Sequence, residues 1–123
     1  MSLGNKYILF LLLIPLILTN CNKTSQKKVT YLATDAVSAY NLQYLNDQNE
    51  LITTSVEPQS AQDKWKYEFM TDEGQIVYIN GSYKDINSAL KIQLLVDGKV
   101  YKQGATQGDT LRYLVVSGVV PYD

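Results

Sequence analysis

The stretch LKIQLLVDGKVYKQ, Leu90 to Gln103, holds two runs of alternating residues joined by Asp97-Gly98. Leu90, Ile92, Leu94 and Val96 recur with a period of two, the spacing that lines one face of a strand. Asp-Gly suits a two-residue type I′ turn, because that turn needs positive φ at both central positions, which glycine adopts freely and aspartate tolerates. The stretch therefore predicts an antiparallel hairpin. In the simplest register Val96 faces Lys99, Leu94 faces Tyr101 and Ile92 faces Gln103, all on one side of the sheet.

The same period runs through the rest of the chain. Tyr40, Leu42 and Tyr44 alternate with Asn41 and Gln43, and Trp65, Tyr67 and Phe69 alternate with Lys64, Lys66 and Glu68. Each predicts a half-buried strand, with Trp65 on the core side. Further strands are expected at Val29 to Thr34, Leu51 to Val56, Ile76 to Gly81 and Leu111 to Val119. The breaks carry turn chemistry: Asn46-Asp47-Gln48-Asn49, Glu57-Pro58, Asp72-Glu73-Gly74 and Gly104 to Asp109. Seven or eight short strands in roughly one hundred residues predict an all-β fold, an antiparallel β-sandwich.

The N-terminal part is of another kind. Lys6 is followed by the apolar run YILFLLLIPLIL, Tyr7 to Leu18, and then by Thr19-Asn20-Cys21, where Cys21 is the chain's only cysteine. A helix over that run would reach roughly 18 Å, short of the roughly 30 Å of a bilayer's hydrocarbon core. It suits a cleaved export signal. Leu18-Thr19-Asn20-Cys21 resembles the lipobox of bacterial lipoproteins, in which cleavage falls just before a cysteine that has received a diacylglycerol; Asn20 stands where a small residue is usual. The reading divides the chain into a signal peptide at 1–20, acylated Cys21 with a polar tether at 21–28, and a sandwich domain at 29–123. Several acyl chains on one residue make a stable anchor.

Composition narrows the chemistry. There is no histidine among the 123 residues, so Ser-His-Asp relays, Cys-His pairs and imidazole metal sites are absent. Removing Lys6 with the leader leaves ten of the eleven basic residues against twelve acidic ones, a balance that excludes nucleic acid as a partner. Asp72 and Glu73 are neighbours on a turn and point apart, unlike a catalytic carboxylate pair. Asp47 to Glu50 lacks the spacing and glycine of a calcium loop and reads as a solvated turn. No catalytic residue, metal ligand or cofactor is expected. Ten tyrosines are too many for so small a core, and Tyr31, Tyr83, Tyr113 and Tyr122 are candidate interface residues.

VTYLAT, DKWKYEF, GQIVYINGSY, LKIQLLVDGKVYKQG and LVVSG resemble, in this order, the soluble domain of MmpS-like proteins, the small mycobacterial membrane proteins, and their lipoprotein relatives. That resemblance spans Val29 to Gly118. It implies an immunoglobulin-like β-sandwich in the extracytoplasmic space and a partnership with a large RND-type lipid exporter. Mycobacterial members carry an N-terminal membrane helix and a cysteine pair in the domain, whereas this chain has a lipobox-like site and a single cysteine. The expectation is a non-catalytic envelope lipoprotein, anchored to the outer membrane and facing the periplasm, that binds a protein or lipid partner. The alternatives are an exporter accessory in the MmpS manner and an enzyme of unknown type.

Overall fold

The computed structural model describes residues 25–109 and 111–122. Eight strands follow one another: β1 (Gln26–Thr34), β2 (Tyr40–Leu45), β3 (Leu51–Val56), β4 (Trp65–Asp72), β5 (Ile76–Tyr83), β6 (Ala89–Val96), β7 (Lys99–Gln107) and β8 (Tyr113–Val119). They form two four-stranded antiparallel sheets, ordered β4-β1-β6-β7 (sheet A) and β3-β2-β5-β8 (sheet B). This is the expected β-sandwich. Only β2–β3 and β6–β7 are hairpins; every other connection crosses between sheets.

The period-two pattern becomes the interior. Val29, Tyr31 and Ala33 of β1 and Leu90, Ile92 and Leu94 of β6 meet Leu42 of β2, Val77 and Ile79 of β5 and Val116 of β8, all nearly or wholly inaccessible. Burying such a side chain contributes about 1.5–3 kcal/mol. Side chains of sheet A press on Gly81 of sheet B, where a Cβ would fall 2.6 Å from Leu90 Cδ2 and 3.1 Å from Ile92 Cδ1. At the centre, the fully buried Tyr31 ties the layers together. Its hydroxyl donates to the Leu45 carbonyl (2.7 Å) and accepts from the Tyr78 N–H (3.2 Å), so a residue of sheet A satisfies backbone groups of sheet B.

The Asp97-Gly98 turn has the expected conformation, with φ of 52° and 84°. Asp97 does more than turn the chain. Its carboxylate accepts from the Lys28 N–H (3.0 Å) while its own N–H donates to the Lys28 carbonyl (2.8 Å), pinning the hairpin to the start of β1.

Beyond the turn the register differs from the simple one. Val96 pairs with Lys99 and Leu95 with Val100, but Leu94 then faces Lys102 and Ile92 faces Gly104, because a bulge at Tyr101 interrupts the ladder. The opposite sheet supplies the reason. A Cβ at Gly104 would lie 2.8 Å from Leu114 Cδ1, so Leu114 fills the space that Gln103 would have occupied in an unbulged strand. Gln103 turns outward instead, and its side chain accepts from Gln93 (2.9 Å).

Strand β1 begins at Gln26, so Gln26, Lys27 and Lys28, read as tether in the sequence, are paired with β4. Lys27 points inward. Its ammonium lies 3.7 Å from the Glu73 carboxylate, both side chains being largely buried, so Glu73 of the turn at 72–74 is a structural acid rather than an exposed one.

Candidate functional site

The candidate site lies on the outer face of sheet A, where the alternation that buries Val29, Tyr31 and Ala33 turns Lys28, Thr30 and Leu32 outward. Register places Thr30 between Glu68 and Leu95, and Leu32 between Lys66 and Gln93. Short and apolar side chains on the two central strands make a floor, and long side chains on β4 make a wall. The result is a depression of 420 Å3 lined by Thr30, Leu32, Leu95 and the lysines 28, 64 and 66. It runs into a second depression of 470 Å3, with which it shares Leu32 and Lys64 and which Lys91 and Gln93 continue. Together they form one trough.

Its charge is uneven. Glu68 lies 4.0 Å from the Lys28 ammonium and 3.8 Å from that of Lys66, and accepts from the Thr30 hydroxyl (3.3 Å). Lys64 and Lys91 meet no carboxylate within ion-pair distance among the described residues, and Asp35 is the other acid on the lining. Such exposed pairs contribute little to stability. Their effect is to leave a positive rim around an apolar floor, which suits an anionic ligand with an apolar part.

The outer face of sheet B is different in kind. Cross-strand rows place Asn41 beside Ser55 and Ser82, and Gln43 beside Thr53 and Asn80, while β8 adds Tyr113, Val115, Ser117 and Val119. No outward position on these four strands carries a charge. Amides and hydroxyls knit across it: Asn80 donates to Gln43 (3.2 Å) and to the Tyr78 hydroxyl (2.8 Å), and Ser55 donates to Asn41 (2.6 Å).

A further depression, 650 Å3, sits at one end of this sheet among Ser38, Asn41, Ser55, Ser82, Lys84 and Asp85. Its acid is already engaged. Hydrogen bonds from the Ser38 hydroxyl and the Asn87 N–H hold the Asp85 carboxyl below the usual carboxylate range. Asp85 thereby fastens the loop after β1 to the loop after β5.

The residues singled out in the sequence separate. Cys21, the expected lipidation site, and the signal peptide lie outside the described residues. Tyr31 and Tyr83, expected at an interface, are core residues at 0 % and 4 % exposure; Tyr83 reaches the carbonyls of Gly108 and Leu111 (both 3.4 Å). Burial pushes the Tyr31 phenol up to about 12. Tyr113 and Tyr122 are exposed, at 49 % and 72 %, but on different parts of the surface: Tyr113 on the uncharged face of sheet B, Tyr122 beside Gly74. Trp65 is on the inner face of β4 as expected, yet only partly buried, because β4 is an edge strand. Asp47 and Glu50 belong to a turn in which the Asn46 carboxamide accepts from the N–H groups of Gln48 and Glu50 (both 2.9 Å).

The trough residues were not legible as a site because they alternate with core residues on three strands that are distant in sequence. The signal that existed was Lys64 and Lys66 flanking Trp65. Among the described residues no three histidine, cysteine or carboxylate side chains gather as a metal site, and no helix is long and apolar enough to cross a membrane. No protein-family model matches the chain, and no curated protein matches it either.

Proposed function

We propose that this protein is a non-catalytic bacterial envelope lipoprotein, tethered through acylated Cys21, whose sandwich binds an anionic lipid in the trough of sheet A. The observation that carries the proposal is the lysine rim around Leu32 and Leu95. Strand β1, which supplies Lys28 and the floor, is also the strand nearest in sequence to Cys21, so a short tether holds this sheet close to the membrane surface. Basic side chains near an anionic leaflet are each worth about 1 kcal/mol, and an apolar floor adds acyl-chain contact.

The fold is proposed to be immunoglobulin-like. Strands β1, β2, β3, β4, β5 and β8 follow the path of strands B, C, C′, E, F and G of that sandwich, with the β6–β7 hairpin beside β1 where strand A would lie. Kinship with the MmpS-like domains belongs to the same proposal. It is supported by the quoted motifs falling in order on β1, β4, β5, β6–β7 and β8.

The test uses the full-length chain in neutral detergent micelles, titrated with phosphatidylglycerol or phosphatidylcholine while the fluorescence of Trp65, the only tryptophan, is followed. Saturable change with phosphatidylglycerol alone, lost in the doubly substituted Lys64→Glu, Lys66→Glu chain, supports the trough. Equal response to both lipids contradicts it. Separately, Cys21→Ala should abolish incorporation of a fatty-acid analogue in cells, and equal labelling of both chains would remove the anchor.

A further inference from the structure

A sandwich of two open sheets has four edge strands, each with a row of backbone groups ready to pair with another strand unless something blocks it. Three of the four are blocked here. Strand β4 carries Lys66, Glu68 and Asp72. Strand β7 is bulged at Tyr101 and carries Lys99 and Lys102. Strand β8 is uncharged, but sheet A holds it at both ends: the Tyr101 hydroxyl donates to the Val119 carbonyl (2.9 Å), the Thr106 hydroxyl donates to the Leu111 carbonyl just before the strand, and a Cβ at Gly118 would lie 2.9 Å from the Tyr101 ring.

Strand β3, LITTSV, has none of these devices. It is uncharged, free of proline and glycine, unbroken in its pairing with β2, and at the end of sheet B, where no other described element pairs with it. Residues Ile52 and Val56 on its inner face are only partly buried, as are Trp65, Tyr67 and Phe69 of β4 on the same side of the sandwich. The apolar interior therefore reaches the surface along this side.

We infer that β3 is a pairing edge and that a second copy of this chain adds to it, β3 running antiparallel to β3 across a two-fold axis normal to the sheet. The strand is compatible with itself. With Thr54 opposite Thr54, Ile52 meets Val56 on the inner face and Thr53 meets Ser55 on the outer face, so neither face has to change sides. No charge is brought together along the paired segment, and the uncharged face of sheet B continues from one copy into the next. The partly exposed apolar edge of each copy is covered by the other.

The ends of the strand give a signature that separates this occupant from a foreign strand. Glu50 and Glu57 flank β3, and in this register the Glu57 of one copy falls opposite Leu51 of the other, next in the chain to that copy's Glu50. Self-association should accordingly tighten as salt screens these carboxylates, whereas a basic foreign strand would loosen.

Sedimentation equilibrium of the full-length chain in density-matched detergent measures the association. A monomer–dimer equilibrium is expected, strengthened by salt and weakened about tenfold or more by Thr53→Glu, which puts a carboxylate on the outer face of β3 where it does not disturb the core. The Ser117→Glu chain, changed on the same face at β8, should dimerise as the original does. A short bis-maleimide should join Thr54→Cys chains, or Thr53→Cys chains if the axis is shifted by one residue, but not both, with the original chain as control for Cys21. A monomer at all concentrations, or loss of the dimer in Ser117→Glu with Thr53→Glu unaffected, overturns the proposal, as does cross-linking at neither position.

Discussion

The two long sides of the sandwich close by different means. On the β7/β8 side, glycines let the sheets come together: Gly104 admits Leu114, Gly118 admits the Tyr101 ring, and the Tyr101 hydroxyl ends on the Val119 carbonyl. On the β3/β4 side, rings fill the gap. Tyr44 packs against Trp65 (5.2 Å between centroids) and Tyr67 (4.9 Å), and Tyr31 against Phe69 (5.5 Å), yet Trp65, Tyr67 and Phe69 keep part of their surface in water. Small residues let one side seal, and large ones hold the other ajar. The edges of the sealed side are bulged in β7 and held at the ends in β8; the open side has a plain edge, β3.

The largest effect expected lies where the two sides share an interior. Tyr31 and Tyr40 are buried, and burial pushes both phenols up to about 12 from the ordinary value of 10. Since the folded state holds these protons more tightly, stability is intact below pH 10 and falls as pH rises towards 12. Denaturant midpoints measured across that window should show the loss, with a shallower slope in Tyr31→Phe. An unchanged midpoint up to pH 12 would mean that neither phenol is held in the interior.

A substitution on the sealed side should cost more than one on the open side. Gly104→Val drives a side chain into Leu114 and is expected to destabilise by about 1–3 kcal/mol. Below pH 10, Tyr31→Phe leaves the Leu45 carbonyl and the Tyr78 N–H without their partner and should cost a similar amount, about 1–3 kcal/mol. Trp65→Ala on the open side should cost about 1–2 kcal/mol, less than the roughly 3–5 kcal/mol of a fully buried ring, because part of Trp65 is already wet. Chemical denaturation of the three chains checks the order. A Trp65 variant that proved the least stable would show that the open side is the better packed of the two.

The smallest effect concerns the turn far from both gaps. Gly98 has φ of 84° and no atom near its missing Cβ, so only backbone strain opposes substitution. Gly98→Val should cost about 1–2 kcal/mol and Gly98→Asn only a fraction of that, as left-handed conformations tolerate asparagine. Equal midpoints for the two would contradict the turn.

The sequence is most informative where structure is local. The Asp97-Gly98 turn and the alternation of Leu90 to Val96 were legible because both depend on residues adjacent in the chain. The bulge at Tyr101 was not, since it answers to Leu114 on the other sheet. The place of Tyr31 is not local either: its ring suits a core and its hydroxyl an interface, and only the position of the Leu45 carbonyl and the Tyr78 N–H settles which. Lys27 looked like tether because its partner, Glu73, lies on a distant turn. The trough is not legible in the sequence because its lysines come from different parts of the chain, and each alone reads as a solvated face.

Amide hydrogen exchange at β3 and β8, followed at low and high concentrations of the full-length chain, tests the contrast between the open and the sealed side most directly. At low concentration the amides along the free edge of β3 should exchange faster than those of β8, whose end Tyr101 holds; raising the concentration should protect β3 and leave β8 as it was. Equal protection of the two strands at every concentration, or protection that grows at β8 and not at β3, would contradict the account.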